Sequence, residues 1–227
     1  MLDYNVSALH KEKTSLNVEL QHIEMFLDLI KYLKPNTTIN LENKLTNLQK
    51  QQIEKLSNAI FEDVVSWRRH LHKNPELSFQ ENETAKFVSS ILTKYKIEHK
   101  TGIAKTGIVA LIKGNSPDKK CIALRADLDA LPIQETNLHS FISKNKGVMH
   151  ACGHDYHTAT MLGVGVILNE LKDSFEGTIK LIFQPSEEKL PGGAKVMIEE
   201  GVLEKPKVDF IIAQHVTPEV NTGKVGI

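Results

Sequence analysis

Apolar positions recur with a helical period along the first third of the chain and with a strand period after it. Leu9, Leu16, Ile23 and Ile30 repeat every seven residues, with Val6, Leu20 and Leu27 in the seam between them, so residues 1–34 are predicted as an amphipathic helix. Lys13 breaks the seam, which favours a helix laid on its own domain over a dimerising coil. Pro35 with Asn36, Thr37 and Thr38 ends it, and Asn40 can cap a second helix with Leu41, Leu45, Leu48, Ile53, Leu56, Ile60, Val64, Trp67 and Leu71 on one face. A third helix is predicted over about 82–97, built on Ala85, Val88, Ile91, Leu92 and Tyr95.

The period then shortens. Residues 108–112, 121–128, 178–183 and 209–213 are predicted strands, and residues 155–171 and 193–200 are predicted helices among them. Strands alternating with helices predict an α/β fold, a mostly parallel sheet flanked by helices with right-handed crossovers, preceded by a helical extension over residues 1–50.

Composition narrows the function classes. The chain is 41% hydrophobic and 25% charged, and Lys+Arg and Asp+Glu both number 28, so no bulk charge points to nucleic acid or an anionic membrane. The longest apolar run, near Met161 to Leu168, is too short and too glycine-broken to span a bilayer. Cys121 and Cys152 are the only cysteines, which argues against a disulfide framework and for a reducing compartment. The first residues lack a secretory pattern, so a cytoplasmic location is expected.

Candidate chemistry is densest from Gly147 to His157, where three histidines, a cysteine and an aspartate fall within one short stretch. Thiolate and imidazole together suit zinc, cobalt or manganese. Polar residues also follow the predicted strands: Arg125, Asp127 and Asp129, then Gln184 to Glu188, then Gln214 and His215. Parallel strands place these groups on one rim, the usual ligand edge of an open α/β sheet. Cys152, His154, Glu188 and His215 can hold one metal or share two, and of the adjacent Glu187 and Glu188 one can ligate while its neighbour takes a proton from a bound water as general base. Asp127 and Asp129 either orient ligands or simply end a strand. His10, His22, His70, His72, His99 and His139 lie on predicted helices or loops with no partner cluster in sequence, and Arg68, Arg69, His70 and His72 are read as a basic surface helix face.

Four motifs occur in order. Trp67 to Ser78, Arg125 to Ile133, Gly147 to Thr158, and Gln184 to Glu188 followed by Gly192-Gly193-Ala194 together resemble the amidohydrolase branch of the aminoacylase/carboxypeptidase-type metallopeptidases. That branch includes hippurate hydrolases, N-acyl-amino-acid amidohydrolases and auxin-conjugate hydrolases. The resemblance covers roughly residues 51–227 and implies the N-terminal portion of a catalytic domain with a two-metal site. It implies Cys152 as bridging thiolate, His154, Glu188 and His215 as ligands, Glu187 as general base and Asp127 as a supporting aspartate. It further implies two divalent ions (Zn, Mn, Co or Ni), and a small N-acyl amino acid or peptide-like substrate whose amide is cut by metal-activated water.

Members of this family continue past the position matching Ile227 into a lid domain, often used for dimerisation, and one further metal-binding histidine. A fragment or truncated product is therefore expected, poorly soluble or weakly active alone, with any homo-oligomer belonging to the full-length protein. Two other readings stand beside the hydrolase. One makes Cys152 a nucleophile with a histidine base. The other makes the chain a catalytically incomplete binding or assembly module with residues 1–50 as its arm.

Overall fold

The computed structural model describes residues 47–221. The predicted helix over residues 1–34, the extension to residue 46 and residues 222–227 lie outside the described residues. Helix α1 (Asn47–Lys73) is followed by α2 (Asn82–Lys94), β1 (Glu98–Ile103), β2 (Gly107–Lys113), β3 (Cys121–Asp127), α3 (His154–Glu170), β4 (Thr178–Gln184), α4 (Gly193–Glu199) and β5 (Phe210–Ala213).

The five strands form one sheet in the order β1-β2-β4-β3-β5. The expected α/β sheet is present. Strands β4, β3 and β5, which carry the chemistry, run parallel, whereas β2 joins β4 antiparallel and β1 joins β2 antiparallel, so the sheet is mixed. β1 escapes the hydrophobic pattern because Glu98-His99-Lys100-Thr101 is polar and lies on an exposed edge. The predicted third helix stops at Lys94, since Lys96 adopts φ 55, a left-handed turn that ends the helix and feeds the edge strand.

Helices α1, α2 and α3 cover one face of the sheet. Val64, Trp67 and Leu71 of α1 and Val88, Ile91 and Leu92 of α2 meet Leu162, Val164 and Leu168 of α3 and the strand residues Ile108, Ile122, Leu124 and Leu181. α3 is buried on nearly every side between α1 and the sheet, so its Ala, Met, Leu and Val content is uniform rather than striped. Each large aliphatic group buried there contributes about 1.5–3 kcal/mol. The other face is capped by a smaller cluster of Ala123, Ile182, Met197 and Val202. β4 is buried throughout, including Lys180, whose Nζ donates to the carbonyls of Val202, Glu204 and Pro206 at 2.8, 2.9 and 2.8 Å. At the far edge, β5 pairs with β3 and leaves Phe210 and Ile211 exposed.

Candidate metal centre

Three parallel strands deliver polar groups to one edge: β3 ends at Asp127, β4 at Gln184 and β5 at Ala213, two residues before His215. α3 starts on the same edge at His154. Gly153 precedes it with φ 89, and a Cβ there would run into Val216 Cγ2. Only glycine lets the Cys152 turn close against the segment carrying His215.

His154 is the hub. Its Nδ1–H donates to the carbonyl oxygen of Asp129 at 2.8 Å, so Nε2 carries the lone pair. Nε2 lies 3.8 Å from Glu188 Oε1, 4.0 Å from Glu187 Oε2 and 3.7 Å from Asp127 Oδ2, yet it is buried without a hydrogen-bond partner. Cys152 Sγ lies 3.4 Å from His215 Nε2. The ligand atoms of Cys152, His154 and His215 fall within 4.8 Å of one another, as do those of His154, Glu187 and Glu188, so His154 belongs to both triplets.

Buried carboxylates hold the loop after β4. Glu81 Oε1 accepts the N–H of Ser186 at 2.8 Å, and Asp129 accepts those of Glu187 and Glu188 through Oδ1 at 2.9 Å and Oδ2 at 3.0 Å. Ser186 takes φ 46 in this turn, a left-handed conformation costing about 1–3 kcal/mol that the three captured amides offset. Ser78 Oγ donates to Asp129 Oδ2 at 2.6 Å. Burial opposes ionisation of Asp129, but hydrogen bonds from His154, Ser78 and the two loop amides hold its carboxyl well below the usual range.

Asp127 supports the opposite wall. It accepts from His157 Nδ1 at 2.7 Å and Arg125 Nη1 at 2.7 Å. His157 Nε2 in turn accepts the N–H of Val216 at 3.0 Å, fixing the residue next to His215. Burial raises the Asp127 pKa, and the His157 hydrogen bond and nearby charges lower it further than burial raises it.

The donors fit a divalent cation. Burial, then the neighbouring Glu188, Asp127 and Glu187, push the Cys152 thiol up to about 11. A nucleophilic cysteine needs the opposite shift, so this surrounding disfavours a thiolate attacking unaided. Burial lowers the His154 pKa, while Asp129 and Asp127 raise it to a net increase. The negative field that attracts a proton there equally attracts a metal ion to Nε2.

Residues 123–227 match the model of peptidase family M20/M25/M40. The chain belongs to this family. Among curated proteins, the M20 chain is 46% identical over 180 residues to the N-acyl-L-amino acid amidohydrolase of Geobacillus stearothermophilus, covering 79% of this chain and 48% of that protein. It is 47% identical over 176 residues to thermostable carboxypeptidase 2 of Saccharolobus solfataricus, covering 75% and 44%. Among solved structures, a Bacillus subtilis protein described as a dinuclear metal binding peptidase of the M20 family superposes with TM-score 0.67 at 44% identity, covering 71% of this chain and 45% of that one. The chain spans about half the length of the curated relatives it matches.

The fold brings all six candidate residues of the M20 chain, Cys152, His154, Glu187, Glu188, His215 and Asp127, to the one rim. Asp129, for which orientation and strand ending were equally open, orients: it grips His154 and the Glu187–Glu188 loop. His157 was legible as a same-face neighbour of His154 one helical turn on, but nothing in sequence marked its hold on Val216. The surface reading of His72 does not stand, nor does the reading of His139 as having no partner cluster, since its Nε2 lies 3.0 Å from Glu135 Oε1. His72 is 3% exposed, with Nδ1 paired to Asp155 Oδ2 at 2.8 Å and Nε2 to Glu135 Oε1 at 3.1 Å. Its partners lie 83 and 63 residues away, which is why local sequence hid them.

Beside Cys152 and His215 opens a cavity of about 570 Å³, whose walls include Arg68, Phe141, Met149, Tyr156 and Val216. Among the described residues, no helix is long and apolar enough to cross a membrane.

Proposed function

We propose that residues 51–227 supply the N-terminal portion of the catalytic domain of a metal-dependent amidohydrolase, preceded by a helical extension over residues 1–50. The substrate class is N-acyl amino acids or related small amides, in keeping with the relative named N-acyl-L-amino acid amidohydrolase and with the Bacillus subtilis relative named N-acetyl-L-cysteine deacetylase. The observation carrying this reading is the buried, unpartnered Nε2 of His154 at the junction of two ligand triplets.

Cys152, His154, Glu188 and His215 would hold two divalent ions of the Zn, Mn, Co or Ni type. Such ions, when bound, acidify water and polarise an amide carbonyl. The chain's own residues do the rest. Asp129 and Asp127 keep His154 and His157 in fixed tautomers. A carboxylate oxygen of Glu187, held by its backbone N–H beside His154, accepts the proton of the attacking water and returns it to the departing amide nitrogen. Phe141, Met149 and Val216 give the adjoining cavity an apolar wall for an acyl or side-chain group.

The test is hydrolysis of N-acetyl amino acids followed by release of free amine. Loss with a chelator and recovery with Mn²⁺, Co²⁺ or Zn²⁺ are expected. Activity that survives chelation and disappears on alkylation of Cys152 removes the metal reading. The exposed Phe210 and Ile211 on the β5 edge favour a second reading, an assembly module that binds metal without turnover. Metal uptake with no amine release from any N-acyl amino acid selects it.

A further inference from the structure

We propose that His72, Glu135 and His139 form a separate binding site for a zinc-like divalent cation on the wall of the cavity, sharing no residue with the cluster around His154. Glu135 Oε1 lies 3.1 Å from His72 Nε2 and 3.0 Å from His139 Nε2, and the three ligand atoms all fall within 4.8 Å of one another. Two imidazoles and a carboxylate are a zinc donor set, and metal–ligand bonds of about 2.0–2.1 Å place tetrahedral donors roughly 3.3 Å apart. Small adjustments of the observed separations reach that spacing.

Two further observations point to a ligand. His72 Nδ1 lies 2.8 Å from Asp155 Oδ2, and Asp155 is itself paired with Arg68 Nε at 2.8 Å. A carboxylate gripping the far nitrogen of an imidazole is how metal-bound histidines are oriented, because it commits Nδ1–H and turns the Nε2 lone pair outward. His139 is also pre-set. Its ring stacks on Phe141 at 3.9 Å with planes 15° apart, and its Nε2 faces Glu135 Oε1 at 3.0 Å. Asn137 Nδ2 lies 3.1 Å from Glu135 Oε1, so a rotated Asn137 amide or a water can complete the shell.

The site has a structural consequence. Leu131 and Met149 exchange backbone hydrogen bonds at 3.0 Å each, closing the base of the loop that carries Glu135 and His139. A cation on His72 would clamp the middle of that loop to the end of α1 and stiffen the cavity wall. The competing account is an ion bridge in which a protonated His72 spans Glu135 and Asp155 with no metal.

Zinc itself is the probe. The chain with Cys152→Ser and Glu188→Gln lacks two donors of the other cluster and none of these three. After loading and desalting it is expected to keep about one zinc per chain, and adding His139→Asn is expected to weaken that binding at least about 100-fold. Cobalt in the same double variant should give d–d bands without thiolate charge transfer. Zinc should raise the melting temperature of the double variant but not of the triple one, while both melt alike in chelator. If the double variant does not fold, the same His139→Asn change in the otherwise unaltered chain must lower zinc content by one ion. Equal zinc in the variants with and without His139, or none in either, overturns the site and leaves the ion bridge.

Discussion

Asp129 Oδ2 accepts the backbone N–H of Glu188 at 3.0 Å, and Oδ1 of the same carboxylate accepts that of Glu187 at 2.9 Å. One buried side chain thereby sets two adjacent glutamates whose side chains both reach toward His154 Nε2. Replacing Asp129 with Ala strands both amides and the Ser78 hydroxyl. A loss of about 3 kcal/mol in unfolding free energy is expected, read from urea titration. Asp129→Asn should cost less, since its carbonyl still accepts one of the N–H groups.

His157 acts on His215 through the backbone. Its Nε2 holds the Val216 N–H and its Nδ1 is held by Asp127. His157→Ala frees the segment that presents His215 to Cys152. Cobalt affinity should fall about 10- to 100-fold with a weakened thiolate charge-transfer band. An unchanged cobalt isotherm would show that the His215 segment keeps its place without this bond.

How much of this was legible follows from where each signal sits in the chain. Strands β2, β3, β4 and β5 announce themselves as apolar runs, and the polar residues after the three parallel strands fix the rim by topology. β1 was hidden because an exposed edge strand needs no apolar alternation. Lys180 reads as a solvent-facing position, yet three carbonyls of residues 202–206 satisfy its ammonium in the interior. The metal candidates were readable because cysteine, histidine and paired glutamates are conspicuous by type. Their supports were not: Glu81 holds Ser186 from 105 residues away, and Asp155 holds His72 from 83. Such pairings exist only after the chain has folded.

The metal-free chain should be most stable in mildly acidic solution. Burial opposes ionisation of Asp129 and Asp155, but His154 and Ser78 at the first and His72 and Arg68 at the second hold both pKa values well below normal. Their stabilisation is full above the unfolded aspartate pKa of about 3.9 and is lost as pH falls below it. His72 has the opposite sign. Burial lowers its pKa, yet Asp155 and Glu135 raise it overall, so its contribution is full below about pH 6.5 and lost as pH rises through the folded value. Burial likewise raises the Glu81 carboxyl, so its contribution is full below the unfolded glutamate pKa of about 4.3 and is lost as pH rises through the folded value. Urea midpoints should peak between about pH 5 and 6.5. A midpoint that climbs steadily from pH 6 to 9 contradicts the assigned direction for His72.

The proposed roles of Glu187 as base and Glu188 as ligand are distinguished by one pair of substitutions. Both backbones hang on Asp129, but the Glu187 side chain is 43% exposed at the rim and the Glu188 side chain 24% exposed, with Oε1 nearer His154. Glu187→Gln keeps the shape and the amide hydrogen bond while removing the proton acceptor. Its kcat for N-acetyl amino acids should fall about 10²- to 10⁴-fold with metal content unchanged. Glu188→Gln removes a charged donor instead, so metal content should drop and excess metal should restore part of the activity. Both variants keep the side-chain volume and leave Asp129 with its two amides, so similar melting temperatures in chelator are expected and confirm that the fold is intact. Loss of metal in Glu187→Gln together with full metal in Glu188→Gln would reverse the assignment of base and ligand.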